Sequence, residues 1–197
     1  MRAGSGAALA TAVLVLTLSA APPAAADAPG VAHYTLDPAR STLEFSFSQA
    51  GAQNKGRFRR FTTVLDLAAD NSASRLEVTV DMSSVDTGDD ERDGTLRDAD
   101  LFAVKKFAQA RFSAAQIVKT ASGYEAVGKL TIRDITRDVR VPFTFRTATE
   151  QGASVGYMSG RTSLRRLDFG VGQGDWRATD QVGNDVGVSF ALRLTAH

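Results

Sequence analysis

The segment DVGVSFALRLT, Asp185–Thr195, alternates between apolar side chains and small or polar ones. Side chains alternate across a β-strand, so this pattern predicts a strand with one apolar face. Turn signals separate it from other segments of the same kind, and the spacings are too short for helical crossovers. We predict about eight strands, the others being Thr42–Ser48, Phe58–Leu67, Arg75–Asp81, Ala110–Lys119, Tyr124–Ile132, Val139–Arg146 and Ala153–Arg166.

One-sided alternation on this many strands favours an all-β fold, an antiparallel eight-stranded barrel, because closure removes unpaired edge strands. A two-sheet sandwich is the alternative. Helical spacing of apolar residues occurs in one long connector, from about Glu91 to Phe107, where acidic residues come early and Lys105 and Lys106 come late. This charge order suits a helix dipole, so the connector is predicted to form one or two short helical turns.

Residues 1–26 are typical of a secretory signal peptide, with Arg2, an apolar run and small residues before a cleavage point after Ala26. We therefore expect residues 27–197 to form one exported domain, periplasmic or secreted. Removal of the signal peptide takes away one basic residue, Arg2, and no acidic residue. Of the 23 basic residues, 22 remain, and they balance the 22 acidic ones. A neutral protein gives no support to nucleic acid as a partner, and no other apolar run is long enough for an integral membrane span.

The stretch SSVDTGDDERDGTLRDADLF, Ser83–Phe102, resembles a calcium-binding EF-hand loop. Its carboxylates recur at alternate positions and Gly94 occupies the sixth position. However, an alternating strand precedes the stretch where an EF-hand has a helix. We therefore interpret the carboxylates as caps of short helical turns, with weak calcium binding as the alternative, and predict no metal site.

Enzyme motifs are weak in this chain. GASVG, Gly152–Gly156, matches the G-x-S-x-G nucleophile elbow, but the two histidines, His33 and His197, lie near the termini. A serine without a positioned base is a poor nucleophile. The absence of cysteine leaves no nitrogen and sulfur zinc site to assemble. GVGQG, Gly170–Gly174, is interpreted as a flexible turn beside Trp176. We predict no catalytic residue, no cofactor and no enzymatic activity.

Several blocks of the sequence are similar to the YceI-like family, which comprises exported lipocalin-like barrels associated with polyisoprenoid lipids. The blocks cover essentially the whole predicted mature chain: YTLDPARSTLEFSF, GRFRRF, the Ser83–Phe102 stretch with KKFAQARFSA, GKLTIRDITRDVRVPFTF and SLRRLDFGVG. The chain departs from the family pattern at Gln49, where many relatives carry histidine, at Thr63 and Asp134, where they carry glycine, and at Asp138, where they carry proline.

The resemblance implies a tunnel that holds a long apolar chain, such as the tail of an isoprenoid quinone or a polyprenyl derivative. Burial of each CH₂ group contributes ~0.8 kcal/mol, so a tail can bind by area alone. The residues expected to line the tunnel are Phe45, Phe47, Phe58, Phe61, Phe112, Leu130, Phe143 and Phe190, with Leu101 and Phe102 near the mouth. A polar rim is expected from Arg57, Arg59, Arg92 and Asp93. For the basic run Lys55–Phe61, which contains Arg57 and Arg59, the alternative is the polar face of a strand.

Room for the ligand is predicted beside Leu130, because Ala126 and Gly128 on the same strand face are small. The aromatic residues could also simply fill the barrel, since a barrel of eight strands is just wide enough for either arrangement. The alternative function is therefore an exported, stress-related structural or interaction protein with a solid core. The sequence leaves homodimer formation open.

Overall fold

The computed structural model describes residues 30–68 and 74–197, so the predicted signal peptide lies outside the described residues. These ranges contain eleven strands and one α-helix, α1 (Asp90–Arg97). The strands are β1 (Val31–Leu36), β2 (Thr42–Gln49), β3 (Ala52–Phe58), β4 (Phe61–Ala68), β5 (Arg75–Asp81), β6 (Val85–Asp86), β7 (Gln109–Thr120), β8 (Gly123–Ile132), β9 (Ile135–Glu150), β10 (Ala153–Arg165) and β11 (Val182–Ala196).

Eight of these strands form a closed antiparallel ring in the order β1-β4-β5-β7-β8-β9-β10-β11. The ring closes where β11 pairs with β1, from Tyr34 opposite Ala196 to Leu36 opposite Leu194. The predicted eight-stranded barrel is confirmed and the sandwich alternative is wrong. The physical reason is the uniform one-sided alternation, which leaves no strand suited to an exposed edge.

Three barrel strands are interrupted: β2 follows β1 after a short break, β3 leads into β4, and β6 follows β5. Two interruptions are 3-10 turns, each begun by an aspartate whose carboxylate accepts a backbone N–H: Asp37 from Ala39 at 3.2 Å and Asp81 from Ser83 at 2.9 Å. The third, at Arg59 and Arg60, divides the predicted strand Phe58–Leu67 between β3 and β4. Each predicted segment therefore lies on a different barrel strand, but the prediction missed β1, which closes the ring, and the short β6.

The two ends of the barrel differ. At the end we call the mouth, β6 pairs with β3, β7 pairs with β5, and residues 87–108 connect β6 to β7. The predicted helical turns in this connector are confirmed as α1, whose N-cap Asp89 accepts from the Arg92 N–H at 3.0 Å. Acidic residues occupy its first turn and Arg97 its last, as the helix dipole favours.

At the opposite end, which we call the base, inward side chains pack into a continuous core. Its buried members are Tyr34, Leu65, Leu76, Phe112, Ala114, Ile117, Ala126, Phe143, Met158, Leu192 and Leu194. Leu65 and Leu194 are fully buried. Within the described residues, no helix has the length and apolar character needed to cross a membrane.

Candidate functional site

A cavity of about 640 Å³ extends from the mouth into the barrel. Its wall consists largely of inward-facing apolar side chains from the strands, together with side chains of the connector and of the loop between β10 and β11. Its volume falls in the range of small-molecule sites, which are mostly apolar with a few polar groups. The barrel is therefore not solid, which removes the physical premise of the solid-core alternative.

The predicted apolar residues gather at this cavity, except for Phe143. Those that line it are Phe45, Phe47, Phe58, Phe61, Leu101, Phe102, Phe112, Leu130 and Phe190. The ring of Phe58 links the strand wall to the connector, with centroids 5.3 Å from Phe45 and 6.0 Å from Phe102. Period-two alternation accounts for Phe45, Phe47, Phe112, Leu130 and Phe190, because every second side chain of a barrel strand faces the interior. Phe58 and Phe61 both reach the cavity because the chain is interrupted between β3 and β4, whereas Leu101 and Phe102 belong to the connector.

Phe143 is the correction to this set. It faces inward as predicted, but it is 4% exposed and packs in the base, where its ring stacks on Tyr124 at 5.4 Å. On the same strand, Val139 and Val141 do line the cavity. Alternation gives the face of a residue but not its depth along a strand, and β9 continues past the inner end of the cavity.

The predicted polar rim is also corrected at Arg57 and Arg59. Neither lines the cavity. Both guanidinium groups contact the Asp86 carboxylate at 2.7 Å on the outside of the barrel. The hydrogen bond from Arg57 and the positive charges nearby lower the pKa of Asp86. Because Phe58 faces inward, its neighbours along the chain must face outward.

Asp93 is not a rim residue either. It is 5% exposed, and its carboxylate accepts hydrogen bonds from the Thr87 N–H at 2.8 Å and the Thr87 hydroxyl at 2.7 Å. It therefore holds the connector together from within. Arg92 does line the cavity, 3.6 Å from the Asp89 carboxylate, so it remains at the predicted mouth position.

The room predicted beside Leu130 exists, but not for the predicted reason. Leu130 lines the cavity. The space at Gly128, however, is filled by β7: a Cβ there would overlap the Ser113 carbonyl oxygen and lie 2.8 Å from Ala114. The β7–β8 pairing is irregular between Ser113 and Gln116. The small residue thus allows two strands to approach closely rather than leaving space for a ligand.

The loop between β10 and β11 contributes a part of the wall that the sequence prediction missed. Phe169, Val171 and Trp176 line the cavity from this loop. The segment predicted as a flexible turn joins two 3-10 helices, Arg166–Phe169 and Gly174–Arg177, and its last residue, Gly174, begins the second. Its backbone N–H groups at Gly172 and Gln173 bind the Asp100 carbonyl of the connector at 2.9 and 2.8 Å. Trp176, the single tryptophan, was the signal available in the sequence.

Arg166 organises this loop from inside. It is 6% exposed, and all five of its N–H donors bind backbone carbonyl oxygens, those of Val171, Trp176, Ala178, Val182 and Gly183. Burial lowers the pKa of its guanidinium group. Five charge-assisted hydrogen bonds compensate for this burial, so the loop is held as a defined wall.

The segment GASVG and the EF-hand-like stretch both form regular parts of the fold. Ser154 of GASVG pairs with Thr149 within the regular β9–β10 ladder, which is not the strand-to-helix turn of a nucleophile elbow. In the EF-hand-like stretch, Asp89 caps α1 and Asp93 binds Thr87. Their carboxylates thus have local structural roles.

Comparisons with known proteins agree with this architecture. A model of the YceI-like domain matches residues 34–194. A UPF0312 protein of Vibrio vulnificus strain YJ016 is 30% identical over 164 residues, which cover 79% of this chain and 85% of the relative. The crystal structure of Burkholderia cenocepacia BcnA has a TM-score of 0.72 and 30% identity, covering 80% of this chain and 98% of that chain.

A more distant solved structure has the same fold. It is a polyisoprenoid binding domain from Saccharophagus degradans implicated in plant cell wall breakdown, with a TM-score of 0.61 and 17% identity. The match covers 83% of this chain and 98% of that chain.

Proposed function

The chain belongs to the YceI-like family, and from this premise we propose that it binds an amphiphilic lipid with an isoprenoid tail in the barrel cavity. The lipid would be an isoprenoid quinone or a polyprenyl derivative, and the protein would be an exported, non-enzymatic carrier or scavenger of it. The observation that carries the proposal is the cavity of about 640 Å³, walled mainly by apolar side chains and open at the mouth.

An apolar wall recognises a chain through the area that it removes from water. Each CH₂ contributes ~0.8 kcal/mol, so burial of about ten carbons supplies roughly 8 kcal/mol before the entropic costs of binding. The phenylalanine side chains that meet near Phe58 offer flat surfaces for the planar, branched units of an isoprenoid. The distant structural neighbour described as a polyisoprenoid binding domain supports this choice of tail.

The charged side chains around the cavity favour a neutral lipid over a phosphate. Three acidic residues line it, Glu44, Asp89 and Glu91, and three basic ones, Arg92, Arg111 and Arg166. Arg166 already uses all its donors on carbonyl groups. Arg92 and Arg111 remain, but the three carboxylates outnumber them, and Arg57 and Arg59 bind Asp86 instead. The cavity thus lacks the excess of positive charge that a phosphate would need. A quinone or prenol suits this balance better.

The test is mass spectrometry of an organic extract from the protein purified without detergent. A neutral isoprenoid lipid at close to one molecule per chain is expected. An empty extract, together with no uptake of a C20 prenol by the delipidated protein, would refute the proposal.

A further inference from the structure

The hydroxyl group of Thr63 lacks a partner. Thr63 is 2% exposed, and of the buried side-chain nitrogen and oxygen atoms in the described part of the chain, its Oγ1 alone makes no hydrogen bond. Folded proteins pair nearly all such atoms, because an unpaired buried polar group costs stability. An orphaned hydroxyl in the wall of a ligand cavity therefore points to a partner that the ligand supplies.

Thr63 marks the inner end of the cavity on its strand. The inward residues of β4 are, from mouth to base, Phe61, Thr63 and Leu65. The first two line the cavity, whereas Leu65 is fully buried in the base. Thr63 pairs with Val78 of β5, which also lines the cavity. Thr63 thus lies at the level where the deepest part of a bound molecule would end, with its Oγ1 shielded from the cavity surface.

The wall around this position offers no competing polar group. Leu76, Phe112 and Met158 line the cavity and are also buried members of the base core, so they mark the same inner level. A threonine Cβ carries a hydroxyl, a methyl group and a hydrogen, so a rotation of about 120° around χ1 moves the hydroxyl to another staggered position, from which it can face the cavity. A hydroxyl can then either donate or accept.

We propose that Thr63 determines specificity by forming a hydrogen bond with a neutral oxygen, a carbonyl or hydroxyl, at the buried end of the lipid. The lipid therefore enters with its oxygen-bearing end first, and its tail extends past Phe58 and Phe102 toward the mouth. This inference rests on the proposed function and deepens it. It excludes a phosphate at the inner end, because the lining residues there are uncharged and a buried unpaired charge is expensive.

The test compares the wild-type protein with Thr63→Val, which keeps the shape but removes the hydroxyl, and with Thr63→Ser, which keeps the hydroxyl. The probes are a C20 prenol, the C20 isoprenoid hydrocarbon without the hydroxyl and the C20 prenyl diphosphate, delivered from cyclodextrin to delipidated protein. Affinities are measured by displacement of a fluorescent lipid. Thr63→Val is expected to lose about tenfold in prenol affinity and to keep hydrocarbon affinity, whereas Thr63→Ser keeps both.

Two further readouts address orientation and structure. The diphosphate is expected to bind wild-type protein at least about a hundredfold more weakly than the prenol, because its charges would be buried. Lipid-free Thr63→Val is expected to melt about 2–4 °C higher than wild type, because it no longer buries an unpaired hydroxyl.

Three results would overturn the inference while leaving lipid binding intact. They are equal losses of prenol and hydrocarbon affinity in Thr63→Val, diphosphate binding as tight as prenol binding, or a lower melting temperature of the lipid-free variant. If wild-type protein bound neither the prenol nor the hydrocarbon, the proposed function itself would fail.

Discussion

Arg166 donates a hydrogen bond from Nη1 to the carbonyl oxygen of Trp176 at 2.7 Å. The contact joins a buried cation to the one tryptophan of the cavity wall. Gly172 permits it: its φ of +118° is unfavourable for other residues, and a Cβ there would overlap Nη1 of Arg166. The ion pairs of the described residues do not include Arg166, so backbone carbonyls alone compensate its charge.

Replacement of Arg166 by methionine should therefore destabilise the protein by about 3 kcal/mol or more, because several buried carbonyl groups lose their donors. Urea unfolding measures the change. The neighbouring Arg165→Met is the control: the Arg165 side chain is 64% exposed, so its loss should cost less than about 0.5 kcal/mol. Similar costs for the two variants would contradict the structural role of Arg166.

Leu130→Trp should remove bound lipid without unfolding the barrel. Leu130 faces the cavity, so the indole can occupy ligand volume. Ala126→Leu is the matched control on the same strand face: Ala126 is fully buried, and overpacking there should cost about 1–3 kcal/mol. Lipid content after reloading and the melting temperature of the delipidated proteins are measured side by side. Strong destabilisation by Leu130→Trp, with no lipid in the parent, would argue against a ligand cavity.

Phe143→Asp should destabilise the protein by more than about 4 kcal/mol, since it places an unpaired charge in the base core. Thr144→Lys, one residue further on the exposed face, should cost no more than about 1 kcal/mol, mainly for its 3.0 Å hydrogen bond with Ser159. Chemical unfolding of both variants tests the strand parity. Equal effects would show that the inward and outward faces of β9 are wrongly assigned.

Asp93→Ala should destabilise the connector by about 1–3 kcal/mol, because Thr87 loses an acceptor for both its N–H and its hydroxyl. Asp90→Ala, an exposed change in the first turn of the same helix, should cost at most about 1 kcal/mol.

The EF-hand-like stretch, Ser83–Phe102, should not bind calcium, because the carboxylates of Asp89 and Asp93 are engaged in local hydrogen bonds. Millimolar calcium is expected to leave the melting temperature of the parent unchanged. A shift of several degrees that disappears in the double variant Asp89→Asn, Asp93→Asn would instead establish a calcium site.

Stability should fall in acid partly through Asp81. The hydrogen bond from the Ser83 hydroxyl, at 2.6 Å, and those from Arg60 and the Ser83 N–H lower the pKa of Asp81 below 3.8, although burial acts in the opposite direction. A lowered pKa contributes stability above pH 3.8 that is lost as the pH falls through the folded-state value. Unfolding free energies at pH 6 and pH 3 should differ less in Asp81→Asn and Ser83→Ala than in wild type. An unchanged difference would exclude this contribution.

The sequence by itself determined the faces of the strands and the class of the fold. Phe45, Phe47 and Phe190 could be placed inside because side chains alternate strictly across a strand, and eight such segments close most readily into a barrel. The helical turns of the connector were predicted from the spacing of apolar residues and the order of charges, which are also local features of the sequence. Each depends on residues close together in the chain.

Only the tertiary structure decided depth, pairing and loop packing. Phe143 shares its face with Val141 but lies in the base, and Arg57 binds Asp86 on the outside of the barrel rather than lining the cavity, because strand tilt and register bring distant residues together. The space beside Gly128 was filled by a neighbouring strand. The sequence near Arg166 and Thr63 does not reveal their roles. The carbonyl partners of Arg166 and the unpaired state of the Thr63 hydroxyl both depend on the closed barrel.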